Sequence, residues 1–185
     1  IKFRHLFNLH STALPQWGGG GGSSWRIMCS DKFTAVTLHK IDEGIDTGNI
    51  ILQKKIELPN YSITPLENDL LTNNLALELL KEFIEKFISK SIDLNGKKQN
   101  NEGASYFPRL NSNIHACINW SWNAKQISSF INAFDDPYVG AFTSIAGSKL
   151  KIHLKKSICI EGPNKFHPYQ SGIIYRIEDN GYYIL

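Results

Sequence analysis

Asn8 and His10, in the run Phe7-Asn8-Leu9-His10-Ser11-Thr12-Ala13-Leu14-Pro15, combine an amide and an imidazole two residues apart where an apolar segment gives way to loop residues. Residues two apart in an extended strand point to the same face. Two N–H donors side by side at a strand end can grip and polarise a single carbonyl oxygen, which is half of what acyl-group chemistry needs. The pair alone also fits a plain loop anchor. A second stretch changes the reading: Ile41-Asp42-Glu43-Gly44-Ile45-Asp46-Thr47-Gly48-Asn49-Ile50-Ile51 carries three carboxylates on a glycine-hinged loop between two apolar strands. Such a loop can wrap its backbone around a flat heterocycle, and Asp46 can pair with a histidine held nearby.

Taken together, the two runs resemble the formyltransferase family that uses 10-formyltetrahydrofolate, whose members include methionyl-tRNA, glycinamide ribonucleotide and nucleotide-sugar N-formyltransferases. The family's pattern is Asn-x-His, a short Leu-Pro segment and, about three dozen residues on, an Asp-x-Gly-x-Asp-Thr-Gly loop; Asn8, His10 and Asp46 match it in type, order and spacing. The resemblance implies that these three are catalytic and that backbone around Asp42, Gly44 and Ile45 meets the pterin of the formyl donor; no metal is expected, since the histidines and acids show no ligand spacing. It also implies a mechanism. A primary amine attacks the formyl carbon, Asn8 donates to the oxygen that gains charge, and His10 takes a proton or stabilises the oxyanion as imidazolium. Asp46 would orient His10 and favour its charged form. An Arg-Gly common in the family after the Leu-Pro segment is Trp17-Gly18 here, so the glycine is kept and the arginine's anion contact is not.

Composition places the chain among ordinary globular proteins, with 185 residues, 42% hydrophobic and 20% charged. No apolar run approaches the roughly 18 residues of a membrane span and no signal peptide opens the sequence, so no membrane partner and a cytoplasmic location are expected. Cys29, Cys117 and Cys159 are far apart and show no Cys-x-x-Cys spacing, which points to reduced, buried thiols rather than a disulfide frame or metal site. The chain starts without Met in what reads as a strand and stops in an apolar run. In the family roughly a hundred residues of mononucleotide-binding sheet precede the Asn-x-His strand. The expectation is therefore a fragment that lacks the N-terminal half of the catalytic domain and needs it for activity.

Several elements must position the candidate residues. A strand is expected over Phe3–His10, another over Thr34–Ile41 that delivers the chain into the Asp42–Gly48 loop, and a third over Asn49–Leu58. His39, on the second of these, reads as a satisfied core histidine. Gly18–Gly22 fits an artificial linker, a plain glycine-rich loop or a backbone cradle before a short helix at 24–30 that Ser23 or Ser24 would cap, with Trp25 and Met28 inward. Thr64-Pro65-Leu66-Glu67 carries the signals of a capping box. From there to about Ser91, Leu70, Leu71, Leu75, Leu79, Leu80, Phe83, Ile84, Phe87 and Ile88 recur at helical spacing, predicting a long helix packed on the sheet, with Lys81–Glu85 and Glu82–Lys86 as surface pairs.

Residues 95–104 read as a polar linker between a catalytic part, 1–94, and a second unit, 105–185. In that unit a helix at 123–134 is followed by short strands at 141–145, 149–155, 172–177 and 182–185, which suggest a small barrel. The fold class expected is thus α/β, the C-terminal half of a Rossmann-like formyltransferase sheet followed by an incomplete OB-like β-barrel. The phrase Phe134-Asp135-Asp136-Pro137-Tyr138-Val139-Gly140-Ala141-Phe142-Thr143 resembles sugar-modifying members more than the tRNA enzyme, which makes a nucleotide-linked amino sugar the expected substrate and tRNA the lesser one. A homodimer is compatible with this. Net charge is −1 over residues 1–94 and +4 over 95–185; Lys149, Lys151, Lys155 and Lys156 read as a solvated face, and Trp120 and Trp122 as packing. Methionyl-tRNA formyl transfer, a hydrolytic deformylase and a non-catalytic OB-type nucleic-acid-binding fragment are the alternatives.

Overall fold

The computed structural model describes residues 5–59, 63–100, 102–162, 165–179 and 181–185. Strand β1, Phe7–His10, pairs antiparallel with β3, Phe33–Lys40, which in turn pairs antiparallel with β4, Ile50–Glu57. The expected start of β1 at Phe3 lies outside the described residues. Between β1 and β3 the chain forms a two-residue strand, β2 at Gly18–Gly19, and helix α1 at Gly22–Met28. The α/β character holds, but the three-stranded sheet is a purely antiparallel one.

Helix α2, Pro65–Ile88, packs on this sheet. Its start follows from the sequence: the Thr64 side chain accepts from the Glu67 amide, the Glu67 carboxylate accepts from the Thr64 amide, and Pro65 occupies a first-turn position where no N–H is needed. Its buried stripe differs from the all-apolar one expected. Asn68, Thr72, Leu75 and Leu79 lie inward at helical spacing, whereas Leu70, Ile84, Phe87 and Ile88 are exposed. Asn68 lies inward because of Arg26 of α1, a buried residue whose Nη2 donates to Asn68 Oδ1 at 2.6 Å and whose Nη1 donates to the Phe33 carbonyl at 2.7 Å. A buried guanidinium needs oxygen acceptors, and the helix supplies one where leucine would leave it stranded. Burial pushes its pKa down to about 10. Of the two surface pairs expected, Lys86 reaches Glu82 at 2.8 Å, and Lys54 of β4 joins the same carboxylate at 3.5 Å.

Helix α1 is not capped by serine. Gly21 stands at its N-cap with φ 69°, Ser23 instead donates to Asp69, and Ser24 is buried. Ile27 and Met28 of α1 pack against a second core made by Ala116, Ile118, Phe130, Ile131, Ala133, Phe134, Ala141 and Phe142. That core lies in the region of strand β5 at Tyr106–Phe107, the short helix α3 at Ser112–His115, helix α4 at Ala124–Ala133 and strand β6 at Ala141–Ser144. Trp122 meets Phe130 edge-on and Trp120 donates to Thr143 Oγ1 at 3.0 Å, so both tryptophans serve packing.

No closed barrel forms among the described residues of 105–185. Strands β6 and β7, the latter at Lys151–Leu154, make one hairpin, and β8, Ile174–Glu178, and β9, Gly181–Ile184, another. A barrel needs every strand edge paired. After β7 the chain is captured differently: Lys156 N–H donates to Asp135 Oδ2 and Ser157 N–H to Asn132 Oδ1, side chains at the end of α4. Lys155 pairs with Asp136 at 2.6 Å, and Lys151 lies over the Phe142 ring. The cysteines are free, as expected, but exposed rather than buried. Among the described residues no helix is long and apolar enough to cross a membrane, and no cluster of His, Cys, Asp or Glu could hold a metal.

Candidate active site

The antiparallel register places the key side chains. Asn8 lies opposite His39 and His10 opposite Thr37, and cross-strand partners share a face. Asn8, His10, Thr37 and His39 therefore stand on one side of the sheet, away from the side where Phe7 meets Phe83 of α2. The β3–β4 turn then folds back over this face. Gly48 allows the return, because a Cβ there would come within 1.9 Å of the Lys40 carbonyl oxygen. Asp46 itself takes a left-handed conformation, φ 58°, which aspartate tolerates better than most residues.

The outcome is convergence. Asp46 Oδ1 lies 3.6 Å from His10 Nδ1 and 3.6 Å from His39 Nε2, with both imidazoles and the carboxylate largely shielded from solvent. Asn8 Nδ2 lies 3.1 Å from His39 Nε2. The tautomers follow from the carbonyl partners, since a carbonyl can only accept. His39 Nδ1–H donates to the Lys40 carbonyl at 2.7 Å, which leaves Nε2 to accept from Asn8 in the neutral ring. His10 Nε2–H donates to the Trp17 carbonyl at 2.9 Å and turns Nδ1 to Asp46.

Asp42, Gly44 and Ile45 lie apart from this cluster, on the exposed outer part of the loop. Asp42 shapes the loop, its Oδ1 accepting from the Gly44 amide at 3.1 Å and from Thr47 Oγ1 at 2.6 Å. Ile45 is 65% exposed, an apolar side chain held out beside Asp46.

Two further groups that the sequence did not connect to this cluster touch it. His39 is buried and satisfied, as a core histidine should be, yet it touches both Asn8 and Asp46; its even spacing from Thr37 along the same strand was the available signal. The other is the glycine run. Gly18 N–H and Gly20 N–H donate to the carbonyls of Ser105 and Phe107 at 3.0 and 2.8 Å, while Gly19 N–H faces the other way and donates to Asp46 Oδ2 at 2.9 Å. Gly19 has φ 94°, and a Cβ there would come 2.2 Å from the Phe107 carbonyl oxygen. Close backbone approach, rather than flexibility, accounts for glycine at this position.

An amide and two imidazoles on one sheet face, with a carboxylate folded over them from the loop, are group types suited to acyl chemistry. The formyl transferase model matches residues 2–80 and the formyl transferase C-terminal domain model residues 112–184, and the chain belongs to the formyl transferase family. Methionyl-tRNA formyltransferase of Acetivibrio thermocellus is 29% identical over 174 residues, 94% of this chain and 53% of the enzyme. The N-formyltransferase from Helicobacter canadensis, solved with folinic acid and dTDP-3-aminofucose, is 36% identical with a TM-score of 0.61, over 70% of this chain and 47% of that one. WlaRD, a sugar 3N-formyl transferase solved with dTDP and 5-N-formyl-THF, is 34% identical with a TM-score of 0.62, over 70% and 46%. The chain thus spans about half the length of the relatives it matches.

Proposed function

We propose that this chain carries the catalytic residues of a formyltransferase that moves a formyl group from 10-formyltetrahydrofolate to the primary amine of a nucleotide-linked amino sugar. The observation that carries the reading is the convergence of Asn8, His10 and Asp46 from separate segments, with Asp46 Oδ1 3.6 Å from His10 Nδ1. The donor supplies an activated one-carbon acyl group. Asn8, with one amide N–H turned to His39, has the second to offer the formyl oxygen as it gains charge. His10 exchanges its Trp17 carbonyl for the substrate and manages the proton of the attacking amine, while Asp46 orients the ring. The exposed Ile45 and the tight backbone at Asp42 and Gly44 fit a flat heterocycle laid along the loop.

Support for the sugar acceptor comes from the two sugar N-formyltransferase structures at 36% and 34% identity. The methionyl-tRNA formyltransferase of A. thermocellus, matched over 94% of this chain, favours a second reading with aminoacyl-tRNA as acceptor. The complete enzyme, given 10-formyltetrahydrofolate and either a dTDP- or UDP-amino sugar or methionyl-tRNA, separates the two. Formylated sugar is the expected product. Formylated methionyl-tRNA alone replaces the sugar by the second reading, and formate released without any amine replaces both by hydrolysis.

A further inference from the structure

The polar stretch after α2 grips the Asp46 loop at several points. Lys97 and Ile50 exchange backbone hydrogen bonds, each 2.8 Å, and Asn49 Nδ2 donates to the Asn95 carbonyl at 2.9 Å. Gln99, half-buried, then reaches into the loop. Its Nε2 donates to the Asp46 carbonyl at 2.7 Å and to the Gly48 carbonyl at 2.8 Å, so that a single amide group bridges the backbone on either side of Thr47. Strand β5 acts from the far side by pairing with Gly18–Gly19. Successive N–H groups in a strand point in opposite directions, so the pairing that turns Gly18 and Gly20 toward β5 turns Gly19 toward Asp46.

Asp46 needs such support. Its left-handed backbone is sparsely populated by residues other than glycine and persists when its surroundings hold it there. Released, the residue relaxes toward φ < 0, and that rotation swings its side chain away from His10. Gln99 fixes the backbone end of Asp46, and Gly19 fixes the carboxylate end.

We propose that Gln99 is a positioning residue for formyl transfer, locking the Asp46 backbone so that the carboxylate stays on His10, with β5 and Gly19 completing the clamp. This rests on the formyltransferase reading above. Gln99→Met keeps the length and bulk of the side chain and removes both N–H donors; Gln99→Glu puts an acceptor against two carbonyl oxygens.

In the complete enzyme, Gln99→Met is expected to lower kcat about 10-fold or more, with KM for the amine within about threefold, and Gln99→Glu to lower kcat further. In the chain itself, hydrogen exchange followed by NMR is expected to show the Gly19 amide exchanging about 10-fold faster in both variants, while β3 and β4 amides and Tm hold. A purely structural role would instead loosen β3 and β4 together and lower Tm, with kcat per folded molecule intact; that pattern, or unchanged Gly19 protection with unchanged kcat, overturns the proposal. If the wild-type enzyme transfers formyl to no amine, the functional reading falls by itself, and the clamp is judged by exchange alone: lost Gly19 protection in Gln99→Met supports it and kept protection overturns it.

Discussion

Strand β3 and strand β8 carry similar apolar content and meet opposite fates. Thr34 to His39 of β3 are buried without exception, between β1, β4 and α2, whereas every residue of β8 is exposed. The difference teaches where chemistry can be held. Asn8, His10, His39 and Asp46 all hang from β3 or from elements paired with it, where packing on both sides locks rotamers. The β8–β9 hairpin, tied by Arg176 over the Tyr183 ring, carries none of the candidate site residues.

The largest effects bearing on this contrast are expected at the site. Asp46→Ala and His10→Ala in the complete enzyme should each lower formyl transfer about 1000-fold while far-UV dichroism and Tm stay near wild type. Normal turnover by either variant removes that residue from the mechanism. Stability comes next. Leu79, fully buried between α2 and the sheet, should cost about 3 kcal/mol when truncated to Ala, whereas Ile177→Ala in β8, 68% exposed, should stay within about 0.5 kcal/mol in urea unfolding. Equal effects would mean that β8 is packed as extensively as the α2 face that covers β3.

A smaller loss, about 1 kcal/mol, is expected for Thr64→Ala, which removes half of the capping box of α2 and leaves its face on the sheet untouched. An unchanged midpoint would show that packing alone fixes the helix start. The smallest effect concerns Asp136, whose carboxyl is held below its usual range by the hydrogen bond and charge of Lys155. Because its folded pKa lies below the unfolded one, the pair stabilises above the unfolded pKa and loses that contribution as pH falls through the lower folded value. In an NMR titration, Lys155→Met should move the Asp136 midpoint upward; a fixed midpoint assigns the shift elsewhere.

Much of this was legible in the residues. The strand limits around β3 and β4 followed from alternation and flanking turns, and the α2 start from Thr64, Pro65 and Glu67. Asn8 and His10 were legible as a same-face pair because strand period is a local property, whereas their link to Asp46 rested on the resemblance to the formyltransferase motifs and not on any local signal. Leu75 and Leu79 of the α2 stripe are buried as expected, but the inward Asn68 was not legible because hydrophobicity says nothing of Arg26, a charge from another element that recruits it. The incomplete OB-like barrel is not confirmed by the two hairpins formed among the described residues, because strand propensity locates strands and not their partners. Gly18–Gly22 stayed ambiguous because glycine is equally suited to a free loop and to a backbone packed too closely for any Cβ.

Local sequence determined which segments would be strands and helices, where α2 begins and which residue types were available for acyl chemistry, since these depend on period, capping and functional groups a few residues apart. Only tertiary structure decided that His39 shares a face with Asn8, that Gly19 donates to Asp46, and that Gln99 reaches back across the loop. Those contacts depend on register and on the left-handed turn at Asp46, which bring together groups that no short window of sequence contains.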